Sequence, residues 1–120
     1  MCTSALVASA SSSTSALVGH HRKIVCLPVP ERAAMPSIAV ELAPIRVNGV
    51  SPGLVDTPRW SGIPEDVRRE YFARVASKLP SRKVATADEI AEVVAMAATN
   101  RATTGTVIEA DGGARLVSLG

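Results

Sequence analysis

Ile45-Arg46-Val47-Asn48-Gly49-Val50-Ser51-Pro52-Gly53-Leu54-Val55-Asp56-Thr57-Pro58 is the stretch whose reading decides the fold. Its first six residues are rich in β-branched side chains, with Pro44 before them and Ser51-Pro52-Gly53 after, which predicts a short strand. Residues 33–42 upstream carry apolar positions at helical spacing, and Pro36 must sit in the first turn or break the helix. Downstream, residues 54–63 contain Pro58 and Gly62 and are expected to be a loop. Pro64 then opens a helix, with Glu65 and Asp66 favourably placed in its first turn. Val67, Tyr71 and Val75 recur at i, i+4 and i+8 and predict an apolar face that Phe72 widens. Thr86-Ala87-Asp88-Glu89 reads as a capping box for a further helix. Ile90, Val93, Val94 and Ala97 form its expected buried stripe, and Asn100 its expected left-handed stop. Residues 106–110 predict a second strand, closed by Asp111-Gly112-Gly113, which is either an anion nest or, more simply, a strand-ending turn. Two strands joined through helices should run parallel, so the fold class is α/β.

Composition agrees. The chain has 120 residues, 47% hydrophobic and only 2% aromatic, so its core must be built from Ala, Val, Ile and Leu. Such residues suit helices packed on a parallel sheet. No run approaches the ~20 apolar residues of a membrane-spanning helix, which argues against a membrane protein. Thirteen basic side chains against eleven acidic ones are too small an excess to argue for nucleic acid, and the scarce aromatics offer no stacking platform. Cys2 and Cys26 make no disulfide framework, so a reducing cytoplasm is the expected compartment. His20, His21 and Cys26 invite a metal-site reading, but no fourth ligand completes the set and no metal is expected.

Residues 1–32 are set apart. A Ser-rich stretch, the basic run His20-His21-Arg22-Lys23 and the proline-broken Cys26-Leu27-Pro28-Val29-Pro30 suggest an irregular leader. A targeting peptide is disfavoured because Arg22 and Lys23 come late and no basic residue follows Met1. The expected division is therefore 1–32, a leader or out-of-register remnant, and 33–120, the regular part.

The stretch from Ile45 to Pro58 closely resembles one segment of the short-chain dehydrogenases/reductases, and the resemblance extends over two further blocks. Ala39-Val40-Glu41-Leu42-Ala43-Pro44 looks like the helix entering that segment's strand, and Thr104-Gly105-Thr106-Val107-Ile108-Glu109-Ala110-Asp111-Gly112-Gly113 looks like the family's last strand. The blocks stand in the family's order over about residues 33–117, its C-terminal half. The resemblance implies half of a Rossmann-like, doubly wound parallel sheet and NAD or NADP as cofactor. It also implies a small alcohol or carbonyl substrate, and an oligomer of this chain or a complex with a full-length paralogue. It places Pro52, Gly53, Val55 and Thr57 along the nicotinamide, with main-chain groups of Val55 and the Thr57 hydroxyl toward the carboxamide or phosphate region. Gly53, lacking a Cβ, would let a flat ring approach the backbone. The helix opened by Pro64 falls at the family's substrate lid, where Trp60, Tyr71 and Phe72 either line a pocket or form core. Arg68, Arg69, Glu70 and Arg74 read as a solvated face.

The family's proton donor, a tyrosine with a lysine four residues on, has no counterpart. The only tyrosine is Tyr71, and Val75 stands four residues later. Counting back from Asn48 puts the pair near Ile24 and Pro28, which do no acid–base chemistry. Ser11 lies about where the family's substrate-orienting serine falls and is a weak catalytic candidate; a Ser-rich leader explains it equally. The glycine-rich phosphate turn is missing as well, and with it the backbone donors for a pyrophosphate. The expectation is a truncated family member without hydride transfer of its own. The alternatives are a non-catalytic assembly or regulatory module, and a reading frame that does not fold stably.

Overall fold

The computed structural model describes residues 4–10, 23–27 and 29–119. Strands β1 (Ser4–Ala10) and β2 (Lys23–Leu27) precede a 3-10 turn at Val29–Ala34, helix α1 (Met35–Glu41) and strand β3 (Ile45–Pro52). Strand β4 (Val55–Asp56), a 3-10 turn at Pro58–Gly62, helix α2 (Glu65–Lys78), strand β5 (Ala85–Thr86), helix α3 (Ala87–Thr99), strand β6 (Val107–Ala110) and a last 3-10 turn at Ala114–Leu116 follow. The chain forms two compact units, Met1–Ser51 with Glu92–Ile108 and Pro52–Ala91 with Glu109–Gly120.

The first unit centres on β3, in the four-stranded sheet of order β2-β1-β3-β6. Arg46 to Ser51 are all buried, without the alternation of a half-exposed strand, because both faces of β3 are covered. On one face Met35 of α1 approaches so closely that a Cβ on Gly49 would lie 3.2 Å from its Cε. On the other, Arg46 and Asn48 reach the last turn of α3. Arg46 Nη2 donates to Ala98 O at 2.7 Å, and Nη1 donates to Ala97 O at 3.2 Å and Thr103 O at 3.0 Å. Asn48 Nδ2 donates to Thr103 O at 3.0 Å. These carbonyls include the ones a helix C-terminus leaves without intrahelical partners. β3 and β6 run parallel, as expected: Gly105 N donates to Val47 O at 2.7 Å and Gly49 N to Thr106 O at 2.8 Å, so the paired positions rise together.

The amino-terminal residues depart from the expectation of an irregular leader, since they carry β1 and β2. β1 pairs antiparallel with β2 and with β3, Ala5 opposite Val50 and Ala10 opposite Ile45. The sheet is thus mixed, with β3 and β6 as its parallel part.

Several local readings need correction. The helix expected over 33–42 is a 3-10 turn followed by α1, with Pro36 inside the first turn, where a missing N–H costs nothing. The expected loop at 54–63 holds β4, which pairs parallel with β5, Val55 opposite Ala85 and Asp56 opposite Thr86. Strands of two residues are too short to show a period. Asn100 is not left-handed, because Arg82 is the one non-glycine residue of positive φ among the described residues. Instead the Asn100 side chain closes the end of α3, its Oδ1 accepting from Ala102 N at 2.9 Å.

The capping box forms as read: Glu89 N donates to Thr86 Oγ1 at 3.3 Å, and Thr86 N donates to Glu89 Oε2 at 3.0 Å. Ala97 is buried, while Ile90, Val93 and Val94 are half-buried.

Candidate functional site

Pro52, Gly53, Val55 and Thr57, all in the second unit, follow one another where the chain leaves the carboxyl end of β3. Open α/β sheets bind ligands beyond such strand ends. Gly53 N donates to Ala110 O at 3.2 Å. The space a Gly53 Cβ would take is filled by Asp111, whose Cα would lie 2.8 Å away and carbonyl oxygen 3.0 Å. The end of β6 therefore requires glycine at this position. The Val55 carbonyl is engaged: Trp60 Nε1 donates to it at 3.1 Å. Thr57 is extended, with φ −137° and ψ 163°, and its carbonyl accepts from Trp60 N at 3.1 Å. Its hydroxyl caps nothing in the turn that follows.

The fit to a nicotinamide cofactor is therefore partial. The half-buried Thr57 hydroxyl and the adjoining backbone suit its amide-bearing end. The glycine-rich cradle for a pyrophosphate is missing from the sequence. Ser11 lies outside the described residues. β1, which leads to it, ends at Ala10 opposite the first residue of β3. His20 and His21 also lie outside the described residues, and Cys26 is described only as part of β2. Among the described residues, no group of three His, Cys, Asp or Glu could hold a metal ion. Nor is any helix among them long and apolar enough to cross a membrane.

Asp111-Gly112-Gly113 is the strand-ending turn. Gly112 and Gly113 take φ +64° and +86°, which a side chain disfavours. The Asp111 carboxylate accepts from Gly113 N at 2.8 Å and Arg115 N at 3.0 Å. Desolvation raises the Asp111 pKa, but the hydrogen bonds from Arg115 and Gly113 outweigh it and hold the carboxyl below its ordinary value. The turn engages the Gly113, Ala114 and Arg115 amides internally.

A cavity of about 420 Å³ lies in the second unit, against α2 and the Pro58–Gly62 turn. Trp60, Ile63, Val67 and Tyr71 give it apolar walls, and Arg68, Glu70 and Arg74 a charged rim. Trp60 is held by its bond to Val55 O and by the edge of Phe72, ring centroids 5.3 Å apart at 82°. The Tyr71 ring lies 5.8 Å from it at 34°, with the Arg74 guanidinium 5.6 Å from the Tyr71 centroid. Of the two open readings of the aromatics, Trp60 and Tyr71 are pocket wall, and Phe72 supports them. One expectation fails here: Val67 is 52% exposed rather than part of a core-facing stripe. Arg69, Glu70 and Arg74 are exposed, as expected of a solvated face, and Arg68 is half-buried at the cavity. Periodicity groups residues by helix face but does not reveal what the face meets; the signal available was the cluster of Trp60, Tyr71 and Phe72 in a chain otherwise poor in aromatics.

A helix-flanked sheet with a parallel strand pair and a loop beyond one strand's carboxyl end defines a Rossmann-like α/β protein. Residues 32–115 match the family model described as enoyl-(acyl carrier protein) reductase. With this match, the chain belongs to the short-chain dehydrogenase/reductase family. It is 41% identical over 71 residues to cis-4-hydroxycyclohexanecarboxylate dehydrogenase of Sinomonas cyclohexanicum, covering 58% of this chain and 27% of that protein. It is 36% identical over 84 residues to the short-chain dehydrogenase/reductase ATR9 of Stachybotrys chlorohalonatus, covering 70% and 33%. A crystal structure of a small-chain dehydrogenase in complex with NADPH superimposes with a TM-score of 0.63 at 46% identity, over 71% of this chain and 39% of that one. The chain thus spans about a third of the length of the curated relatives it matches.

Proposed function

We propose that this chain supplies the C-terminal part of an NAD(P)-dependent oxidoreductase acting on a small alcohol or carbonyl compound, and that alone it transfers no hydride. In this reading residues 33–120 are the family's C-terminal half, in a cytoplasmic protein, and Pro52, Gly53, Val55 and Thr57 border the nicotinamide end of the cofactor. A bound nicotinamide cofactor supplies or accepts the hydride. Thr57 donates or accepts a hydrogen bond at the amide-bearing end, while Pro52 and Gly53 carry the chain past it. The supporting observation is that these four residues leave the carboxyl end of a strand parallel to β6, with the Thr57 hydroxyl unengaged. Inactivity is supported by the sequence, in which the one tyrosine, Tyr71, has no lysine four residues on. The phenol–lysine pair that would protonate a carbonyl is absent from the chain.

The experiment is a fluorescence titration of NADPH and NADH onto the purified chain, beside an assay for oxidation of either. The reading expects weak saturable binding that Thr57→Val reduces several-fold, and no turnover above a heat-killed control. Measurable turnover would overturn the inactivity, and no binding at millimolar cofactor would overturn the cofactor assignment.

One observation supports an assembly role beside this. β6 ends the sheet among the described residues, and its four residues are half-buried rather than buried. An edge strand of this kind pairs readily with another chain. On this reading the chain elutes from size exclusion as a dimer or in complex with a full-length paralogue, and a clean folded monomer would count against it.

A further inference from the structure

We infer that the cavity on α2 binds a small carboxylic acid with a cyclic apolar body, and that Arg68 holds the carboxylate. Calling that acid a substrate rests on the oxidoreductase reading above; its binding does not. The cavity shares none of its lining with Pro52, Gly53, Val55 or Thr57.

The walls specify the body of the ligand. The Trp60 indole is fixed at both ends, by its N–H bond to Val55 O and by the Phe72 edge, so it presents a rigid flat surface. Beside it, Ile63 at 38% and Val67 at 52% exposure leave aliphatic surface in water that the chain's own folding does not cover. A ring that covers Trp60, Ile63 and Val67 together gains from removing that surface from water. A volume of about 420 Å³ lies in the ordinary range for small-molecule sites, roughly 300–1,000 Å³.

The rim specifies the charge. The cavity lining carries two guanidinium groups and one carboxylate. Arg74 is occupied with the Tyr71 ring, 5.6 Å away, where it still adds positive potential. Arg68 is half-buried and makes no ion pair among the described residues. A guanidinium offers a planar fork of donors that fits a carboxylate with two parallel bonds. Glu70 is exposed, so water screens its repulsion of an incoming anion. The rim therefore favours an anion over its neutral isostere.

Trp60 is the only tryptophan, so its emission reports on this cavity alone. The test titrates the full chain with cyclohexanecarboxylate, which is transparent at the excitation wavelength, and with the neutral cyclohexanecarboxamide. The acid should saturate the emission change and bind about tenfold or more tightly than the amide, the usual weight of a charge-assisted pair. Arg68→Gln should abolish that preference while leaving the amide's weak binding unchanged, and Arg68→Lys should keep part of it. Equal affinity for acid and amide, no saturation with either, or an Arg68→Gln chain that still prefers the acid would overturn the inference. The NADPH titration fails or succeeds independently, since its readout is the cofactor's own fluorescence and its diagnostic variant is Thr57→Val.

Discussion

Arg46 Nη2 donates to Ala98 O at 2.7 Å, joining the middle of the sheet to the last turn of α3 across 52 positions of sequence. The same guanidinium serves Ala97 O and Thr103 O, so one buried side chain satisfies carbonyls from the end of α3 and from the segment that follows it. Truncating it removes the side-chain donor of Ala98 O and leaves Asn48 Nδ2 alone to serve Thr103 O and, at 3.5 Å, Ala97 O. Arg46→Ala should lower the unfolding free energy by about 2–4 kcal/mol. Urea denaturation checks this, and an unchanged midpoint would show that the bonds carry no net stability.

Gly53 and Gly62 make a matched pair of tests. A Cβ on Gly53 would sit 2.8 Å from Asp111 Cα, a backbone atom that cannot swing aside, whereas one on Gly62 would meet nothing within 4 Å. Gly53→Ala should cost about 1–3 kcal/mol by overpacking. Gly62→Ala should stay within about 0.5 kcal/mol of the parent. Thermal melts of both variants decide it, and similar losses in the two would refute the packing account.

Thr86 opens α3 with a reciprocal pair of bonds to Glu89. Thr86→Ala should destabilise by about 1 kcal/mol, with Thr86→Ser recovering most of it. Equal stability of the alanine and serine variants would show the cap to be idle.

Glu89 and Asp111 both titrate below their ordinary values. Glu89 does so first through its bond to Lys83, then through that from Thr86 N. Asp111 does so through the Arg115 and Gly113 amides, against the desolvation that raises it. A carboxyl whose pKa is lower folded than unfolded stabilises the fold above its unfolded pKa, and loses that contribution as pH falls through the folded one. Melting temperature should therefore fall on acidification below the ordinary carboxylate range. The fall should be shallower for Asp111→Asn, whose side chain keeps one acceptor oxygen for one of the two amides and no longer titrates. Parallel acid profiles for parent and variant would exclude Asp111 from the effect.

Strands β3 and β6 and helices α2 and α3 were legible because they are written in short-range patterns. A β-branched run between prolines made β3, Pro64 and two acids opened α2, and Thr86 with Glu89 capped α3. The candidate cofactor segment was legible for a related reason, since a run of consecutive residues carries its resemblance intact. Arg46 and Asn48 were not singled out. On a strand, alternate polar residues ordinarily signal a solvent face, and the carbonyls that bury these two lie about fifty positions away. The same limit hid the two-residue pairing of β4 with β5, too brief for any period.

The sequence by itself determined the family, the parallel relation of β3 and β6, the helix boundaries near Pro64 and Thr86, and the lack of a tyrosine–lysine pair. Only the tertiary structure decided that β1 runs antiparallel to β3, that Asp111 occupies the space beside Gly53, and that Trp60, Val67 and Arg68 enclose a cavity. The division follows from range. Hydrophobic period, caps and turn residues act within one or two turns of chain, whereas packing brings together side chains whose sequence separation carries no local mark.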